Sequence, residues 1–200
     1  MKYTYSGKLN VSSRWHPLIA QAKELLEQEV ARVLDKKVVF NVALTNLYEN
    51  GNHMVSWHSD NETDLVEGAP IATLSLGKER VQKEKVHRSF LSHCYPFLGA
   101  SRTFQLRHKS ESMTGQQQTE INIRLNAGET ISEDERALLR HKVGEDPELN
   151  RTLTLGHGDL FVMAGQLQKH WRHRVPQEKE VTQPRIVFTF RSVAEENVQL

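Results

Sequence analysis

An all-β sandwich or jelly roll, propped by a single helix, is the fold class that this sequence predicts. Three observations predict it. One long amphipathic pattern occurs near the N-terminus, short strand-like runs occupy much of the remaining chain, and turn residues separate those runs. The 200 residues suit one domain with a real core. The apolar fraction of 38% and charged fraction of 26% are those of an ordinary soluble globular protein.

The helix comes first. In PLIAQAKELLEQEVARVL, Leu18, Ala22, Leu25, Leu26, Val30, Val33 and Leu34 recur at helical spacing, and Pro17 suits a first turn. The spacing predicts a helix over 17–34. Strand-like runs follow: VVFNVALTNLY, PIATLSLG, RTFQLRH, RTLTLGHGDLFVMAG, KHWRHRV and PRIVFTFRSV. Turns are marked by Asn50–Gly51, Gly156–His157–Gly158, Gly165 and Pro176. Two segments break the rhythm, at 78–100 and 110–150. The second is polar and acidic. Within it, EINIRL reads as a strand and SEDERALLRHKV as a short helix, with Ser132 as cap and Glu135 three residues on. Loops of such length are usually functional or disordered. There is no internal repeat.

The net charge of +1 gives no general affinity for polyanions, but the charge is unevenly placed. From Lys78 to Lys109 there are eight basic residues against two acidic, and from Ser110 to Asn150 nine acidic against four basic. A local basic strip binds phosphates even in a neutral chain. A solvated loop face is the alternative for its first part. Cys94 is the one cysteine, which excludes a disulfide framework and a cysteine-based zinc site and fits a reducing compartment. No apolar run has the length of a membrane span, and the N-terminus lacks the apolar region of a secretion signal. The expectation is a soluble intracellular monomer, nuclear in a eukaryote and otherwise cytoplasmic.

Candidate chemistry begins at SWHSDNE. On a strand, residues two apart point the same way, so His58 and Asp60 can offer an imidazole and a carboxylate to one ion. Two histidines and one carboxylate form the facial set of non-haem Fe(II) oxygenases, with positions left open. KHWRHRVP offers His170 and His173 as the third ligand, and on a strand only one of them can join. His157 reads as a turn residue, and His16, His87, His93 and His141 as surface histidines. In PRIVFTFRS, Arg185 and Arg191 share a face with Val187 and Thr189, while Ile186, Phe188 and Phe190 fill the other. Two guanidiniums on an otherwise apolar strand need partners. Either a dicarboxylate or two structural salt bridges would supply them. Asn46 and Tyr48, two apart, bring hydrogen-bonding tips just before the His-x-Asp pair.

The blocks YTYSG, NLYENGNHMVSWHSDNE, PIATLSLG, SRTFQLRHK, LGHGDLFVMAGQLQKHWRHRVP and PRIVFTFRSV, in this order, resemble those of the AlkB family of Fe(II)/2-oxoglutarate dioxygenases. The resemblance covers most of the chain outside the two interruptions. It implies a double-stranded β-helix, a jelly roll of the 2-oxoglutarate dioxygenase type. It implies Fe(II) held by His58, Asp60 and His173, the last chosen over His170 by the match at HRVP. Arg185 would bind the distal carboxylate of 2-oxoglutarate with help from Tyr48, and Arg191 and Asn46 would serve the other end. With O2 as the further co-substrate, the implied reaction oxidatively removes N-methyl groups from bases such as 1-methyladenine and 3-methylcytosine in DNA or RNA. It would release succinate, CO2 and formaldehyde. A flipped base would stack on Tyr5, with Tyr3 and Ser6 near it in a lid. Asn61 and Glu62 would read its edge, and Arg102, Arg107 and Lys109 are candidate phosphate contacts.

Three departures qualify the resemblance. Val187 stands where the family usually has asparagine, which puts one co-substrate hydrogen bond in doubt. The chain begins at MKYTYSG, ahead of which relatives carry more residues, so part of the lid is expected to be missing and single-stranded substrates are favoured. Without residues 78–100, PIATLSLG would run directly into SRTFQLRHK, so that segment reads either as a retained intron or as a natural basic loop. The 110–150 segment falls where family members vary in length. Two rival readings remain: an impaired relative that binds nucleic acid without turnover, and a metal hydrolase or cupin-like enzyme using the same ligands. The second gives no reason for Arg185 and Arg191 to share a face.

Overall fold

The computed structural model describes residues 2–5, 8–11, 13–77 and 100–194. The chain opens with a hairpin of β1 (Lys2–Tyr5) and β2 (Lys8–Val11). Helix α1 (Pro17–Leu34) follows over the range that the apolar spacing predicts. The imidazole of His16 accepts the Leu18 amide, Pro17 opens the first turn, and Asp35 ends the helix in the left-handed region at φ 49°. The strands are β3 (Val42–Tyr48), β4 (Val55–His58), β5 (Ile71–Gly77), β6 (Arg102–His108), β7 (Asn150–Leu155), β8 (Leu160–Met163), β9 (Trp171–Val175) and β10 (Arg185–Arg191). The remaining helices are α2 (Lys109–Asn126), α3 (Glu133–Arg140) and the single turn α4 (Leu167–His170).

Two antiparallel 4-stranded sheets face each other, one in the order β3-β10-β5-β8 and the other β4-β9-β6-β7. This is the jelly roll that the sequence predicts. Sequence alternation decides what each face meets. The outer face of the first sheet buries Phe190, Ala72 and Leu74 against Ala22, Leu26 and Val30 of α1. Truncating Leu26 to alanine there is worth roughly 2–5 kcal/mol. The inner face of β10 carries Arg185, Val187, Thr189 and Arg191, all buried. A second cluster, with Phe104, Leu106, Leu155, Met163 and Val175, closes the space between the sheets.

The turn at Asn50–Gly51 shows why glycine is required. A Cβ on Gly51 would lie 1.6 Å from the Glu178 carbonyl oxygen, because Gly51 exchanges backbone hydrogen bonds with the 178–181 turn. Glu178 in turn holds Arg102 at the start of β6.

The 110–150 segment differs from expectation in one part. EINIRL is the last part of α2, not a strand. Its period-two apolar pattern misleads: in the helix Ile121 is buried while Ile123 and Leu125 are exposed. The polar run before it supplies the helix with its docking group instead. Buried Glu111 accepts from the Gly144 amide at 2.6 Å and lies 3.1 Å from His141 Nε2. The predicted α3 cap is present, with Glu135 N–H donating to Ser132 Oγ and Ser132 N–H to Glu135. The insertion at 78–100 lies, apart from Ala100, outside the described residues. No helix among the described residues is long and apolar enough to cross a membrane.

Candidate metal centre and co-substrate cavity

His58 ends β4 and His173 sits centrally in β9, and the two are direct partners in the antiparallel ladder. That register sets their ring centroids 4.1 Å apart. Asp60 lies two residues past β4, so its carboxylate reaches the pair from a loop rather than from the strand assumed by the spacing argument. Its Oδ1 is 3.8 Å from His58 Nε2, and its Oδ2 is 3.8 Å from His173 Nε2. One ligand atom from each residue falls within 4.8 Å of the others. Such a set suits an ion bound on one side, with further positions open.

The surroundings prepare these ligands. A carbonyl can only accept, so His58 Nδ1–H donates to Ser56 O at 2.8 Å and its Nε2 lone pair turns inward. Burial pushes the His173 imidazole down to about 4, reinforced by His58 and partly offset by Asp60. His173 is therefore neutral at physiological pH, the form that binds a metal. Asp60 receives Arg191 Nη2–H at 2.9 Å, and its amide donates to Gln168 Oε1 at 2.9 Å. His170 is not part of the set. It ends α4 and stacks on His108, with ring centroids 6.0 Å apart.

A narrow cavity leads from the three ligands between the sheets. Asn46, Tyr48, Thr73, Arg185, Val187, Thr189 and Arg191 line it from the first sheet. Arg185, 2% exposed, donates from Nη2 to Ser75 Oγ at 2.6 Å. Its Nε and Nη1 are buried without a hydrogen-bond partner among the described residues. Burial, first of all, pulls this guanidinium down to about 10. Unpaired guanidinium donors lining a cavity suit a carboxylate. The chemistry of the donor set thus fits both a divalent iron and a dicarboxylate. Val187 sits between Asn46 and Ser75 in the ladder, so polar groups flank it on both sides.

A wider cleft of about 500 Å³ opens beside Asp60. Asn61, Glu62, Lys109, Gln166 and Gln168 line it, and burial holds the Glu62 carboxyl above its usual range. Lys109 donates to the Gln168 carbonyl at 2.9 Å. Tyr3 and Tyr5 lie in β1, and Ser6 lies outside the described residues.

One expected phosphate contact is corrected. Arg102 is 1% exposed and gives its donors to Glu178 and to the carbonyls of Asn50, His53 and Pro176. It is a structural cross-brace and offers no face to a phosphate. The sequence reading missed Thr73, Ser75 and Gln168. Thr73 and Ser75 carried a usable signal, two hydroxyls two apart in a strand, the same pattern that marked Asn46 and Tyr48. Gln168 carried none, since it acts through its place in a single helical turn.

Facing antiparallel sheets enclosing a His-Asp-His centre, with a buried arginine beyond it, define a jelly-roll metalloprotein of the oxygenase type. Residues 1–191 match the 2OG-Fe(II) oxygenase superfamily, and the chain belongs to that family. Among curated proteins it is similar to the human alpha-ketoglutarate-dependent dioxygenase alkB homolog 3, with 29% identity over 96% of this chain and 49% of that protein. It is also similar to the DNA oxidative demethylase ALKBH2 of Homo sapiens, with 27% identity over 96% of this chain and 52% of that protein. The Arabidopsis thaliana ALKBH2 is 30% identical over 94% of this chain and 48% of its own length. The chain therefore spans about half the length of the curated relatives it matches.

Proposed function

We propose that the protein is an Fe(II)- and 2-oxoglutarate-dependent demethylase of N-alkylated bases, such as 1-methyladenine and 3-methylcytosine, in single-stranded DNA or in RNA. The observation that carries this reading is the pairing of two features in one cavity: His58, Asp60 and His173 at its mouth, and the partnerless donors of Arg185 at its end. The names of the relatives, dioxygenase and DNA oxidative demethylase, support the reaction class and a nucleic-acid substrate.

His58, Asp60 and His173 would hold the iron, which when bound supplies the oxidising chemistry with O2 and 2-oxoglutarate. Arg185 and Ser75 would clamp the distal carboxylate, with Tyr48 beside them. Arg191 steadies Asp60, and with Asn46 it serves the iron-proximal end. Phe104, Met163, Val175 and Val187 give this space an apolar lining. A base entering the 500 Å³ cleft would meet Asn61 and Glu62 at its edge, and the resemblance would assign Tyr3, Tyr5 and Ser6 to a lid over the base. Such a substrate fits the nucleus of a eukaryotic cell, or otherwise the cytoplasm.

The test is formaldehyde and succinate release from 3-methylcytosine and 1-methyladenine oligonucleotides, with His58→Ala and Arg185→Ala as controls. Release that needs iron and 2-oxoglutarate and vanishes in both controls supports the reading. Oligonucleotide binding without turnover would overturn it in favour of a non-catalytic relative.

A further inference from the structure

We infer that the outer face of the β4-β9-β6 sheet is a track for the phosphodiester backbone of a single-stranded nucleic acid, built from Arg107, Arg172 and Arg174 around Trp57. The inference rests on the reading above for the nature of the strand, and on separate residues for its evidence.

Alternation along these strands points His173 and Leu106 inward, which sends their neighbours Arg172, Arg174 and Arg107 to the opposite face. Trp57, one residue before His58, joins them there. Arg107 and Arg172 are direct ladder partners. Like charges directly opposite each other on one face of an antiparallel pair are destabilising. The cost is not relieved locally: none of the three arginines joins an ion pair among the described residues.

The guanidiniums are nevertheless held in place. The Cζ atoms of Arg107 and Arg174 each lie 4.6 Å from the centroid of the Trp57 ring. Cation–π attraction to one indole keeps both charges within about one Debye length of each other. Arg174 Nε also donates to Gln105 at 2.7 Å, and Arg107 Nε to Asn150 at 3.1 Å. Neutral side chains thus fix the arginines while their charge stays uncompensated. A positive field of this kind is complementary to a chain of phosphates.

The position also fits. Arg172 stands near the start of β9 and Arg107 near the end of β6, the same end of the sheet where Lys109 and Gln168 border the wide cleft. A strand whose base enters that cleft would lay its neighbouring phosphates on Lys109, then Arg172 and Arg107, then Arg174. The order of contacts needs no change in the fold.

The experiment measures binding of an unmodified single-stranded oligonucleotide, as DNA and as RNA, over a salt series. Wild type is compared with Arg107→Gln/Arg174→Gln, and melting curves confirm that the variant folds. Loss of two phosphate contacts lowers the salt slope by roughly 1.4 for a single strand and weakens binding at low salt about tenfold or more. A second variant, Trp57→Leu, keeps every charge but removes the anchor, and a smaller loss of affinity is expected. An unchanged slope in a folded double variant would overturn the track. Formaldehyde release by wild type, measured separately, tells this failure from a failure of the catalytic reading.

Discussion

Arg191 Nη2 donates to Asp60 Oδ1 across 2.9 Å, and both side chains are almost wholly buried. A cation of the C-terminal strand is thereby fixed to the carboxylate of the candidate metal set. The ion pair orients Asp60 toward the two imidazoles. Arg191→Ala should lower iron affinity by about 10–100-fold, the range for a supporting residue of a metal ligand. It should also destabilise the fold by roughly 3–5 kcal/mol, since it strands a buried charge. Metal titration and denaturant unfolding check the two effects separately.

Arg185 serves the other end of the cavity. Arg185→Gln should raise the 2-oxoglutarate requirement by at least about 100-fold, since two charge-assisted bonds at roughly 1.5–3 kcal/mol each are lost. Iron binding without co-substrate should stay the same. Ser75→Ala removes a neutral partner of that guanidinium, and a smaller rise of about fivefold to tenfold is expected. Steady-state kinetics in 2-oxoglutarate and iron titrations distinguish the two roles.

Arg102 is predicted to matter for folding rather than for nucleic acid. Its bond to Glu178 at 2.6 Å and its three carbonyl partners tie β6 to two turns. Arg102→Ala should cost roughly 3–5 kcal/mol of stability. In the fraction that folds, oligonucleotide affinity should be that of wild type. A variant of normal stability that binds oligonucleotide poorly would restore the phosphate role.

His173 makes the metal-free protein sensitive to acid. Its imidazole sits at about 4 against an ordinary value of 6.5. Between those values the unfolded chain takes up a proton that the folded chain refuses. Stability is therefore full above the ordinary value and declines as pH falls through the window to the lower one. The shift corresponds to about 3 kcal/mol. Urea unfolding of metal-free protein, near neutrality and near the acid end of the window, should show a smaller loss for His173→Gln than for wild type. Equal losses would contradict this.

Much of the site was legible because strand alternation is a strict rule. It put Arg185 and Arg191 on one face, and the two are buried there together. It also put Asn46 and Tyr48 on one side of their strand, and the ladder sets them opposite Val187 and Arg185. Where the chain leaves regular structure the rule lapses. Asp60 acts from a loop, and Gln168 from a one-turn helix, and neither geometry follows from a period. Arg102 and Arg107 read alike in sequence, as basic residues of one strand. Odd spacing sets them on opposite faces, one buried against Glu178 and the other on Trp57. EINIRL misled because apolar alternation also occurs on the exposed side of a helix.

The central claim is that His58, Asp60 and His173 hold one iron while Arg185 captures 2-oxoglutarate beside it. The most direct measurement is the visible charge-transfer band that arises when 2-oxoglutarate chelates Fe(II), titrated without oxygen. The account predicts a band that saturates with a single equivalent of iron, is lost in His173→Ala, and needs far more 2-oxoglutarate in Arg185→Gln. A band of equal strength in His173→Ala, or none in the wild-type protein, would contradict it.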